Sequence, residues 1–176
     1  INRIISKRGR RGDPSGFMFN MSVGYDLAGI KTEKINTFIE GMKDASETPA
    51  FKAAIKEAKK QLPELADYIS AIDPHICTSV TISTLHGCPP QEIESIASYL
   101  ITEKKLHTLV KCNPTILGYD FARKRLDEAG FDYVSFDDHH FREDLQYKDA
   151  VPMFRRLLKL AADNGVSFGL KLSNTC

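Results

Sequence analysis

From residue 75 to residue 172 the chain alternates short runs rich in Val, Ile and Leu with longer amphipathic runs, and this rhythm constrains the fold more than any other feature. Strands are expected over 75–85, 107–111, 132–136 and 166–172, separated by helices over 90–103, 120–129 and 148–164. Parallel neighbours need a long crossover, normally a helix, so strand and helix alternating at this spacing specify a parallel sheet. Ile93, Ile96, Ala97, Leu100 and Ile101 form one apolar stripe on the first of these helices, and Gly130 and Gly165 close the other two. Upstream, 17–24 reads as a further buried strand, making five. Helices are expected over 33–43, 49–61 and 64–72, the first with Thr32 as N-cap and Ile35, Phe38, Ile39 and Met42 on one face, the second with Pro49 in its first turn. The fold class that follows is α/β, a partial (β/α) TIM-like barrel with parallel strands alternating with helices. A complete eight-stranded barrel typically needs about 250 residues, more than the 176 present.

Apolar residues make up 42% and charged residues 27%, enough for an ordinary core under a charged surface. The formal charge of +1 is too balanced to point to a nucleic-acid or acidic-membrane partner. The one basic cluster, Lys7, Arg8, Arg10 and Arg11, reads either as a phosphate-binding arm or, more simply, as a solvated end. Residues 1–16 are therefore expected to be a basic, mobile segment, and 17–176 a fragment of a barrel domain. No apolar run approaches the roughly 20 residues of a membrane span, and no signal-peptide pattern is present. Cys77, Cys88, Cys112 and Cys176 are widely spaced with no Cys-x-x-Cys pair, which argues against a disulfide framework, a zinc knuckle or an iron–sulfur cluster within this segment. A reducing cytoplasm fits. Ile1 in place of Met, and a last strand-like run that stops at Cys176, lead us to expect a piece of a longer protein.

Ligands of parallel α/β folds gather at the carboxyl ends of the strands, and here every strand end is polar. Lys111 and Lys171 each close a short apolar run, and a buried ammonium there needs an acidic neighbour or an anionic ligand. Asp137 or Asp26 would supply the neighbour in the competing reading. Asn113 and Asn174 follow the two lysines by two or three residues and could meet a planar heterocycle through donor and acceptor, or simply begin turns. In 83–90, Gly87 permits close backbone approach, Pro89 and Pro90 lead into a helix, and His86 and Cys88 are the candidate catalytic groups. A histidine bonded to backbone and an inert thiol are the plainer alternatives. Asp137, Asp138, His139, His140, Glu143 and Asp144 could in principle hold a divalent ion. Adjacent loop residues rarely face one point, however, and no recognised ligand spacing is present, so no metal is assigned.

The stretches 19–30 (FNMSVGYDLAGI), 83–94 (STLHGCPPQEIE), 110–119 (VKCNPTILGY), 144–153 (DLQYKDAVPM) and 169–175 (GLKLSNT) resemble the N-terminal region of the family named for a selenate reductase flavoprotein subunit. That family is itself similar to the glutamate synthase small subunit and to dihydropyrimidine dehydrogenase. The resemblance covers nearly the whole chain from Phe17 onward. It implies a multidomain oxidoreductase whose other regions bind FAD, NAD(P)H and 4Fe-4S clusters. More distantly, the segment is similar to the FMN-binding barrel of dihydroorotate and dihydropyrimidine dehydrogenases. By that likeness Lys111 and Lys171 would face flavin, with Asn113 and Asn174 lining the pocket, although the motif around Cys88 departs from theirs.

The leading expectation is thus a barrel fragment of a flavin and iron–sulfur oxidoreductase, holding an anionic or heterocyclic small molecule at its strand ends and inactive alone. A non-catalytic scaffold that docks partner domains, and a lyase-like barrel using a Schiff-base lysine, are the rivals. Expected partners are the remaining domains of the parent chain, or a second copy joined through an open sheet edge.

Overall fold

The computed structural model describes residues 19–83 and 88–172. In chain order the elements are β1 (Met21–Val23), α1 (Leu27–Ile30), α2 (Glu33–Lys43), α3 (Pro49–Gln61), a 3-10 turn (Pro63–Leu65), α4 (Ala66–Ser70), β2 (Ser79–Ile82), α5 (Pro90–Thr102), β3 (His107–Cys112), a second 3-10 turn (Pro114–Leu117), α6 (Tyr119–Glu128), α7 (His139–Glu143), α8 (Tyr147–Asp163) and β4 (Phe168–Leu172). They fall into two compact units, one of Ile1–Asn20 with Glu40–Thr78, the other of Met21–Ile39 with Ser79–Cys176.

The larger unit is built on one parallel sheet of order β1-β2-β3-β4. Alternate residues of β3 (Thr108, Val110, Cys112) are buried, as a strand covered on one face requires. α5 packs on β2 and β3, and α8 packs on α5 and β4. The stripe Ile93, Ile96, Ala97, Leu100 and Ile101 meets Ala150, Met153, Leu157 and Ala161 of α8, all nearly inaccessible. Burying each large aliphatic side chain contributes about 1.5–3 kcal/mol, so this seam and the sheet beneath it are the stabilising core. At the edge of the seam Arg156 grips Glu94 with two hydrogen bonds, Nε to Oε1 at 2.6 Å and Nη2 to Oε2 at 2.7 Å. Gly130 (φ 81°) and Gly165 (φ 71°) adopt the left-handed conformation that ends α6 and α8 as expected.

In the smaller unit Thr48 caps α3 by accepting the Phe51 N–H. Ala45 N donates to Pro74 O and Cys77 N to Met42 O, while the buried Cys77 thiol donates to Phe19 O.

Several expectations need correction. Residues 132–136 are not a strand, and the sheet has four strands among the described residues. β3 pairs directly with β4, so the ladder has no place for that segment. Two of its carbonyls are engaged otherwise: Arg123, ion-paired with Asp127 and stacked on the Phe136 ring, donates to Val134 O and to Phe131 O just before the segment, and Tyr119 Oη donates to Phe136 O. Thr32 does not cap α2, since its hydroxyl donates to Gly29 O. Of the expected α2 face only Ile39 is fully buried, and Phe38 is exposed. Residues 64–72 form a 3-10 turn and a short helix rather than one continuous helix.

Candidate functional site

Because all four strands run the same way, their carboxyl ends come to one edge of the sheet. Gly24, just past β1, lies where an added Cβ would come within 3.0 Å of Ser83 O, so the first two strand ends close tightly. Asp26 follows and caps α1 by accepting the Gly29 N–H at 2.7 Å, while Leu27 N donates to Glu92 Oε1 of α5 at 2.7 Å. This ties the loop after β1 to the helix after β2.

The register of β3 and β4 sets Lys111 directly opposite Lys171. Partners in a parallel ladder project from the same face, and neighbouring strands are about 4.8 Å apart, so two ammonium stems rise side by side at the same strand-end level. Lys111 is half-buried and Lys171 exposed. Among the described residues neither ammonium has a carboxylate or hydrogen-bond partner. The acids considered from sequence are engaged elsewhere, Asp26 as the cap of α1 and Asp137 as acceptor of the His139 N–H at 3.1 Å. Like charges directly opposite one another destabilise a sheet. An anion between them reverses the sign.

The other face carries different chemistry. Cys112, Leu170 and Leu172 point toward α8 and, with Phe121, Phe136 and Phe154, line an open hollow of about 900 Å³. Its walls are almost wholly apolar. Asn113 lies on this side too, its Nδ2 donating to Asp144 Oδ2 at 3.2 Å, and Thr115 Oγ1 donates to the same oxygen at 2.7 Å. Asp144 is 6% exposed. It binds the end of α7 to the loop after β3, and Gln146 Nε2 completes the joint by donating to the carbonyls of Phe141 and Asp144. Lys111 and Asn113 thus serve opposite faces.

Cys88 is half-exposed, and burial together with the Glu92 carboxylate raises its thiol pKa. That disfavours the thiolate a nucleophile needs. The Cys112 thiol is pushed up to about 11 by burial. His86 and Asn174 lie outside the described residues. Sequence reasoning missed the buried acceptor Asp144, its partner Thr115 and the aromatic hollow. Only the recurrence of Phe and Tyr between 119 and 154 hinted at the last, and their elements meet only in three dimensions.

Parallel strands backed by helices on one face, with their carboxyl ends at a lysine-bearing rim, define a domain of the α/β-barrel class. The chain belongs to the family described as "Oxidoreductase YgfK, N-terminal TIM-barrel domain", whose model matches residues 1–176. It is similar to two curated proteins named "Putative oxidoreductase YgfK", from Escherichia coli strain K12 and Escherichia coli O157:H7. Each is 43% identical over 175 residues, a match covering 90% of this chain and 17% of the relative. The chain therefore spans less than a fifth of the length of these relatives. No solved structure matches. Among the described residues no helix is long and apolar enough to cross a membrane.

Proposed function

We propose that this domain holds an anionic or electron-rich small molecule against Lys111 and Lys171, within a larger oxidoreductase whose other regions carry the redox cofactors. The observation behind this reading is the in-register lysine pair with no acidic partner among the described residues. The oxidoreductase family supports a redox setting. An oxyanion such as selenate, a flavin phosphate and the electron-rich edge of a flavin ring share the chemistry that two ammonium groups recognise. For FMN in particular, the lysines fit the anionic part, while the apolar hollow lies on the opposite face and offers that ligand no continuous bed. Cys77, Cys88 and Cys112 are dispersed and offer no cluster-ligand spacing, so 4Fe-4S clusters are assigned to the remainder of the longer protein, and FAD and NAD(P)H are assigned there by the family resemblance. The thiols of Cys88 and Cys112 also favour a cytoplasmic location.

The test is thermal unfolding at fixed ionic strength with phosphate, selenate or FMN replacing chloride. A saturable rise in midpoint, absent in the Lys111→Met/Lys171→Met double variant, supports the reading. An unchanged midpoint with all three anions, in a colourless protein, replaces it with the scaffold reading. A Schiff-base lysine has one observation in its favour, an amine beside a second cation, and borohydride trapping of a carbonyl compound on Lys111 or Lys171 would reveal it. We further propose that the exposed Leu170 and Leu172, on a strand paired with β3 alone among the described residues, receive the remainder of the longer protein. In the isolated domain a second copy would take that place, and dimers in light scattering would report it.

A further inference from the structure

Residues 137–144 carry six potential ligands, but an extended loop would send neighbouring side chains apart. The helical turn of α7 does the opposite. Residues four apart on a helix lie above one another, and His139 Nε2 comes within 3.3 Å of Glu143 Oε2. His140 stands beside them, its ring centroid 5.2 Å from that of His139. One ligand atom from each of His139, His140 and Glu143 lies within 4.8 Å of the other two. Donors around a tetrahedral ion, each about 2.0–2.1 Å from it, lie about 3.4 Å apart, so the three ligand atoms, within 4.8 Å of one another, are already near the spacing of a common ion.

The geometry points to a divalent transition-metal site on α7, with the imidazoles of His139 and His140 and the carboxylate of Glu143 as protein ligands and water completing the coordination. Two imidazoles and one carboxylate select a borderline ion such as Zn²⁺ over Ca²⁺ or Mg²⁺, which prefer all-oxygen shells. The backbone beneath the ligands is already held. Asp137 accepts the His139 N–H, Phe141 packs against Tyr119 and Phe136, and Asp144 anchors the end of the turn in a buried hydrogen-bond network. Less chain entropy is therefore lost when the ion binds than for the same residues on a free loop. The neighbouring cation, Arg142, is paired with Asp138 at 2.6 Å, so its charge is offset. This site stands apart from the lysine pair and does not depend on it.

The experiment is calorimetric titration of ZnCl₂ into the protein, with His139→Ala, His140→Ala, Glu143→Gln and, as a control, His75→Ala, whose imidazole bonds Asp73. One equivalent of zinc is expected. Each His139 or His140 substitution should weaken it by more than the about 10-fold that loss of an outer-shell partner costs, and His75→Ala should leave it unchanged. In the unsubstituted protein the imidazole NMR signals of His139 and His140 should shift with the first equivalent while those of His75 and His107 stay in place. No binding at millimolar zinc, a His139→Ala/His140→Ala protein with unaltered affinity, or first-equivalent shifts at a different histidine would each overturn the site.

Discussion

Replacing Lys171 with Met should make the ligand-free domain more stable while removing its response to anions. The stem keeps its length and apolar contacts, so the change isolates the charge. Strands about 4.8 Å apart, with stems free to splay, set the two ammonium groups about 5–8 Å from one another. Coulomb's law gives a repulsion of about 0.5–0.8 kcal/mol at the dielectric of water and about 2–3 kcal/mol near a protein surface. Lys171 is exposed, which places the value toward the lower end, about 0.5–1 kcal/mol. For a domain of this size that corresponds to a rise of about 1–4 °C in melting temperature. Scanning calorimetry at low ionic strength should show this rise, and added salt should shrink it as screening takes over. Phosphate at about ten times its dissociation constant should stabilise the unsubstituted protein by about 1.4 kcal/mol and leave Lys171→Met unmoved. A variant that melts lower at every salt concentration, or that gains as much from phosphate as its parent, would refute the reasoning.

Asp144→Ala should cost about 2–4 kcal/mol in urea unfolding, because the buried carboxylate accepts from both Asn113 and Thr115; a loss below about 0.5 kcal/mol would show that the joint is not structural. The hydrogen bond from Arg156 holds the Glu94 carboxyl below its ordinary value of 4.5. Its contribution is therefore present above pH 4.5 and lost as pH falls through the lowered value. Glu94→Gln should accordingly close its stability gap with the parent on acidification, and a gap that widens would contradict the pairing. Alkylation of Cys88 by iodoacetamide, followed by mass spectrometry, should show a midpoint above 9.0, with Cys112 rising nearer 11. A Cys88 midpoint near neutrality would restore its candidacy as a nucleophile.

Periodicity, composition and the placing of prolines determined the α/β class, the bounds of α2 and α3 to the residue, and those of α5 and α8 within one residue at each end. α5 and α8 carry their apolar stripes locally, α3 and α5 begin at a proline and α8 is followed by Gly165, and such local signals survive in one dimension. The lysines at the ends of β3 and β4 were legible for the same reason. Tertiary structure decided which side chains share a face. A one-residue slip of β4 would have carried Lys171 to the side of the aromatic hollow, because side chains alternate at every step of a strand. It also decided against a strand at 132–136, whose composition suits a sheet but whose Val134 and Phe136 carbonyls accept from Arg123 and Tyr119 while β3 and β4 pair with each other. Asp144 reads as one more acid in a charged stretch, and only the fold buries it beneath Asn113 and Thr115. Sequence specifies which elements form, through short-range propensity. Register and long-range pairing are settled only when distant segments compete for the same hydrogen bonds and the same buried surface.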